Sequence, residues 1–79
     1  MNPGDLVELI QPGGGDKIAV GAMDDGLTWQ RPAGTLAVHL GRHPRMPGEP
    51  AIVVLIDGKL GWIWEYELCL ATGATAAGP

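Results

Sequence analysis

An all-β fold, a small barrel of about five short strands with a long first loop, is predicted by three features of the 79-residue sequence. No segment carries apolar residues at helical spacing over three turns. Short apolar runs instead alternate with the period of two that sends successive side chains to opposite faces of a strand. Thirteen glycines and seven prolines cluster between those runs, where they punctuate turns.

The elements follow in order. In "GDLVELIQP" a strand of about six residues from Leu6 is ended by Pro12, with Val7 and Leu9 on its purer apolar side. Residues 12–33 read as a long loop holding a small hairpin. One arm is centred on Ile18 and Val20, "MDDG" is the turn, and Leu27 and Trp29 lie on one side of a short extended piece. A loop this long carries its own structure or a function. "GTLAVHL" is a half-buried strand, in which Leu36, Val38 and Leu40 alternate with Ala37 and His39. Pro44, Pro47 and Pro50 keep the next loop from becoming helical. Ala51–Ile56, the Asp57-Gly58 pair and Leu60–Trp64 form a hairpin, since Asp-Gly between apolar runs is a strong turn signal. "EYEL" reads as one tight helical turn and Leu68–Leu70 as a last short strand. These elements make one domain, residues 1–71, followed by a tail at 72–79 of small residues expected to fray. The order of connections describes an SH3-like barrel, whose closure removes most exposed strand edges.

The Asp57-Gly58 hairpin fits two registers. A two-residue turn sets Leu55 opposite Leu60 and Val53 opposite Trp62; a three-residue turn sets Val54 opposite Leu60 and Ile52 opposite Trp62. A one-residue slip exchanges faces, yet both faces are apolar in either register. A sheet with one wet face alternates apolar and polar residues, and this hairpin does not. Two explanations stay open: the loop 12–33 folds over the outer face with Leu27 and Trp29, or that face meets another protein.

Composition narrows the function classes. The net charge is −4, with five cations against nine acids, so the positive field that nucleic-acid binding requires is missing. The start has no basic segment followed by an apolar stretch, and the longest strongly apolar run, residues 51–56, is far short of a membrane span. Cys69 is the single cysteine, so there is no internal disulfide, which suits a reducing compartment. A soluble, intracellular product is the expectation.

Candidate chemistries have weak signals. His39 and His43 stand about 13 Å apart on a strand at roughly 3.3 Å per residue, too far to share a metal ion, and Cys69 adds only a third scattered ligand. "GGGDK" lacks the spacing and following helix of a phosphate-binding loop. Asp24 and Asp25 lack the remaining ligands of a calcium loop. Cys69 has no activating neighbour in sequence and reads as a small apolar filler. No enzyme activity, metal or cofactor is expected.

"PGDLVEL", "GTLAVHL" and "VLIDGKLGWIWEYEL" resemble the small SH3-like barrel proteins of tailed bacteriophages, which open on Gly-Asp-hydrophobic-Val and close on a valine-rich strand, Asp-Gly, a Trp-bearing strand and Glu-Leu. The matching residues are Gly4, Asp5, Val7, Asp57, Gly58, Trp62, Trp64, Glu67 and Leu68; residues 12–33 do not match. The resemblance implies a virion or accessory protein. The opening also resembles KOW-type barrels of ribosomal and transcription factors, but their basic strands are missing here.

The expected function is therefore docking onto a larger protein assembly. Its most specific form is a virion component, assembled in the host cytoplasm, that decorates or cements the capsid or sits on the tail. Trp29, Trp62, Trp64 and Tyr66 are the expected anchors. The loops 12–33 and 42–50, with Arg42 and Arg45, are expected to set specificity. The partners are capsid or tail proteins, with closed symmetry if the chain self-associates; nucleic acid and membrane are not expected partners. The alternatives are a KOW-like nucleic-acid accessory factor using the Arg42–Arg45 loop, and a small phage inhibitor of a host protein.

Overall fold

The computed structural model describes residues 1–24 and 26–71. Asp25, half of the weighed calcium pair, and the tail at 72–79 lie outside the described residues. The strands are β1 (Leu6–Leu9), β2 (Lys17–Ala22), β3 (Thr28–Pro32), β4 (Leu36–Arg42), β5 (Ala51–Ile56), β6 (Lys59–Trp64) and β7 (Leu68–Leu70), with a 3-10 turn at Glu65–Glu67 before β7. They form one antiparallel sheet in the order β3-β2-β6-β5-β4-β1-β7.

The fold is all-β, but the sheet is open and has seven strands rather than five. The five expected strands correspond to β1, β4, β5, β6 and β7. The hairpin expected inside the long loop contributes the other two. It extends the sheet through Gly21 opposite Trp62 and Ala22 opposite Gly61. Its core side explains why: Ile18, Val20 and Ala22 alternate along β2 and all three are buried. β1 is shorter than expected and ends at Leu9. The Ile10 amide turns away and donates to the carbonyl of Glu67 (2.9 Å), tying the 3-10 turn to the end of β1.

One face of the sheet holds the core. Val7, Leu9, Ile18, Val20, Ile52, Val54, Ile56 and Ile63 are buried within a single cluster. Val7 and Leu9 come from β1, next to one edge of the sheet, and Ile18 and Val20 from β2, next to the other edge. Their shared cluster means that the sheet curls around one interior. Each such side chain contributes about 1.5–3 kcal/mol on full burial.

The Asp57-Gly58 register is the two-residue one, with Ile56 opposite Lys59, Leu55 opposite Leu60 and Val53 opposite Trp62. Both turn residues have positive φ, 54° at Asp57 and 76° at Gly58, as a type I′ hairpin turn demands and as Asp and Gly tolerate. Arg31 Nε donates to Asp57 Oδ2 at 2.9 Å and links the β3 strand to this turn. The pair is exposed, which limits its contribution to about 1 kcal/mol or less.

β4 turns its smaller residues inward. Ala37 lies opposite Val7 and His39 opposite Val54, so Ala37 and His39 are buried while Leu36 (52% exposed) and Leu40 (42%) are not. Between His39 and Gly41 the register shifts, because Leu40 is an extra residue relative to β5. Beyond this bulge the alternation is inverted. His39 stays on the core face, whereas His43 packs edge-on against Trp62 on the outer face (centroids 5.9 Å apart). The two histidines therefore face opposite sides of the sheet.

Candidate docking face

The outer face is built by strand pairing. Directly opposed residues share a face, so Leu6, Val38, Leu55 and Leu60 form one row across β1, β4, β5 and β6. A second row runs Gly41, Val53, Trp62 and Gly21 from β4 to β2. Neither row contains a charged or hydrogen-bonding side chain other than the indole N–H. Leu6, Leu55 and Leu60 are 39%, 36% and 50% exposed. The two-sided apolar character read from the hairpin thus extends over four strands. Leu6 and Val38 were not expected there; the signal was the alternation of Leu36 and Val38 against the smaller Ala37.

From Trp62 in the second row, an aromatic cluster continues through Trp64 to Tyr66. The Trp62 and Trp64 rings meet at 84° with centroids 4.9 Å apart, and Trp64 and Tyr66 are parallel within 4° at 6.3 Å. The spacing of two along β6 carries on into the 3-10 turn, so Tyr66 continues the row although it is no longer in the strand. Such aromatic pairs are worth about 0.5–1.5 kcal/mol each beyond their buried area. Gly21 lets the Trp62 indole lie across β2, since a Cβ there would fall 2.2 Å from Nε1. On the far side His43, buried, holds the Trp62 edge, and its Nδ1 accepts the Arg45 amide N–H at 3.1 Å. A groove of about 300 Å³ opens next to the rings, lined by Ala19, Gly21, Thr28, Ile63 and Glu67 together with the three aromatics.

Trp29 belongs elsewhere. It lies opposite Val20 on the core side, packs against the buried cluster and carries Lys59 Nζ 4.4 Å above its ring. Of the two explanations left open for the outer face, the one in which residues 12–33 fold over it with Leu27 and Trp29 does not hold for the described residues. Strand pairing of β2 with β6 carries the hairpin sideways, Trp29 turns inward, and Leu27 is 66% exposed. Arg42 ends β4, exposed, with Nη1 donating to the Glu49 carbonyl (3.4 Å). It borders a separate cavity of about 240 Å³ with Met1, Pro3, His39, Gly41, Ile52 and Glu65. Arg45 is exposed in the following loop. Of the expected anchors, three are brought together and Trp29 is not. Among the described residues, no three His, Cys, Asp or Glu side chains gather as a metal site would require.

Among the described residues, Glu67 is the one carboxylate lining the groove. Burial raises its pKa above the usual carboxylate value, and a backbone hydrogen bond at Trp64 partly offsets the rise. The sign follows. A raised carboxyl pKa favours the folded state while the group is protonated, and that contribution is lost as pH rises through the folded value. Glu67→Gln should therefore stabilise the protein relative to wild type at pH 7. This advantage should shrink below the ordinary carboxylate range, as urea unfolding at the two pH values will show; an advantage independent of pH would contradict it.

Comparison with family models, with curated proteins and with solved structures finds no match for this chain.

Proposed function

We propose that this chain is a non-enzymatic SH3-like barrel module that docks by its outer sheet face onto a larger protein assembly. That assembly is a tailed-phage particle, in which the chain is a capsid-decorating, cementing or tail-associated subunit. One observation carries the docking reading: the two apolar rows and the aromatic cluster lie on a face that the chain's own hairpin leaves uncovered. The barrel reading is supported by the sequence of connections between β1, β4, β5, β6 and β7: a long hairpin, a Pro-rich loop, an Asp-Gly turn and a 3-10 turn. The phage reading is supported by the resemblance of motif positions, and several of those positions have a local structural role here. The Gly4 amide donates to the His39 carbonyl (2.7 Å), and the Asp5 carboxylate accepts the Asn2 amide (2.7 Å), which seats the chain at the start of β1. Asp57-Gly58 makes the tight turn, Trp62 and Trp64 lie on the outer face, and Leu68 is buried.

Magnitudes favour a broad contact over a single anchor. Association costs about 4–15 kcal/mol in lost freedom, while burying one large apolar side chain returns about 1.5–3 kcal/mol. Several of Leu6, Leu55, Leu60, Trp62, Trp64 and Tyr66 must engage together. Mass spectrometry of purified particles tests the assignment. A band stoichiometric with a capsid or tail protein is expected. Absence from particles would overturn the virion role and leave the same face to a host-protein target.

A further inference from the structure

The groove beside Trp62, Trp64 and Tyr66 selects the chemistry of its occupant. The perpendicular Trp62 and Trp64 rings form a corner, and Tyr66, 60% exposed, extends it. Gly21 and Ala19, which carry no bulky side chain, also line the groove. Aromatic faces carry negative quadrupole density, so a concave set of them attracts a cation. Among the described residues, the only charged residue in the lining is Glu67, an acid, and no lysine or arginine lines the groove. The cation–π pair within the chain, Lys59 on Trp29, is on the core side of the sheet. The chain's net charge of −4 adds long-range attraction for a positive partner.

We infer that this groove receives an arginine side chain from the docking partner, its guanidinium stacked on the exposed rings and hydrogen-bonded to the Glu67 carboxylate. The inference rests on the docking reading above and names what the partner brings. Arginine fits better than lysine because a planar, weakly hydrated guanidinium stacks on rings while pairing with a carboxylate at its edge. Glu67 has lost part of its hydration, and an arriving cation replaces it. A nucleic-acid base would stack on the same rings, but its phosphates would meet Glu67 with no cation in the groove to hold them.

The test is a titration of the isotope-labelled chain with the capped tripeptide acetyl-Gly-Arg-Gly-amide, read at the indole N–H signals. The comparison probes are the same peptide with citrulline, neutral and of the same shape, and with proline in place of arginine. Saturable shifts at Trp62 and Trp64, and not at Trp29, are expected for the arginine peptide, weakening as salt is added. Citrulline should bind about fivefold or more weakly. Tyr66→Ala, at a position 60% exposed, and Glu67→Gln, each checked by thermal unfolding to be folded, should each weaken arginine binding by about two- to fivefold. Equal binding of the citrulline or proline peptide would overturn the inference, as would shifts at Trp29 alone or no saturable response to the arginine peptide. Particle association measured separately distinguishes the two ideas: a chain found on particles but blind to arginine retains its docking role and loses only this ligand.

Discussion

Gly61→Ala is expected to destabilise the domain by about 1–3 kcal/mol, the range for forcing an extra methyl group into a filled interior. A Cβ at this position would fall 2.6 Å from Trp29 Cη2, 2.6 Å from Val20 Cγ1 and 3.0 Å from the carbonyl oxygen of Gly21. The side chains can shift, but the backbone oxygen belongs to the β2–β6 pairing, so relief there means opening the join between the hairpin and the rest of the sheet. A domain of this size has a total stability of roughly 4–12 kcal/mol at about 0.05–0.15 kcal/mol per residue, so the loss is a large fraction of it. Each kcal/mol lowers Tm by about 4–8 °C in a domain of this length. The same contact predicts a coupling: with Trp29→Leu in place, which withdraws the ring tip, the added methyl should cost less than it does alone. Thermal unfolding of the two single variants and the double variant measures this. A strictly additive pair, or a Gly61→Ala chain as stable as wild type, would contradict the packing of Trp29 on the core side.

Leu55→Glu is expected to separate docking from folding. Leu55 is the centre of the outer row, between Val38 and Leu60, and is 36% exposed. Replacing it removes two cross-strand apolar pairs, worth roughly 0.2–1 kcal/mol each, while the carboxylate stays in water as long as the chain is free. In a docked state that carboxylate would be taken into an apolar contact without a partner, and such burial is strongly unfavourable. A loss of about 2 kcal/mol or more, the scale of an interface hot spot, weakens association roughly thirtyfold. Urea unfolding should therefore report a mild change, and association a large one.

The strand plan was legible because period-two apolar runs and turn residues carry it locally. Ile18 and Val20 marked β2, and "EYEL" marked the 3-10 turn. The joining of β2 to β6 was not legible, because it depends on Gly21 and Gly61 facing Trp62, Trp29 and Val20 across the sheet, and a glycine in a run says nothing about what leans on it. The register at "IDGKL" was open because Asp57 and Gly58 serve two turn types equally well; only positive φ at both residues separates them. On β4 the alternation of Leu36, Val38 and Leu40 with Ala37 and His39 read as a half-buried strand and did not say which of its two sides is buried. Pairing with β1 and β5 decided between them by setting Ala37 and His39 toward the core, against the volumes of Leu36 and Leu40. The aromatic cluster was readable from the spacing of Trp62, Trp64 and Tyr66. Trp29 was misplaced because its side of the sheet follows from the β2–β3 pairing, which the sequence left as a loop with a small hairpin.

The copy number of the Leu55→Glu chain on purified particles, measured against the unsubstituted chain under the same conditions, tests the docking face most directly. A variant that folds normally yet is lost from the particles is the predicted result. A folded variant retained at the unsubstituted copy number would contradict a docking role for this face.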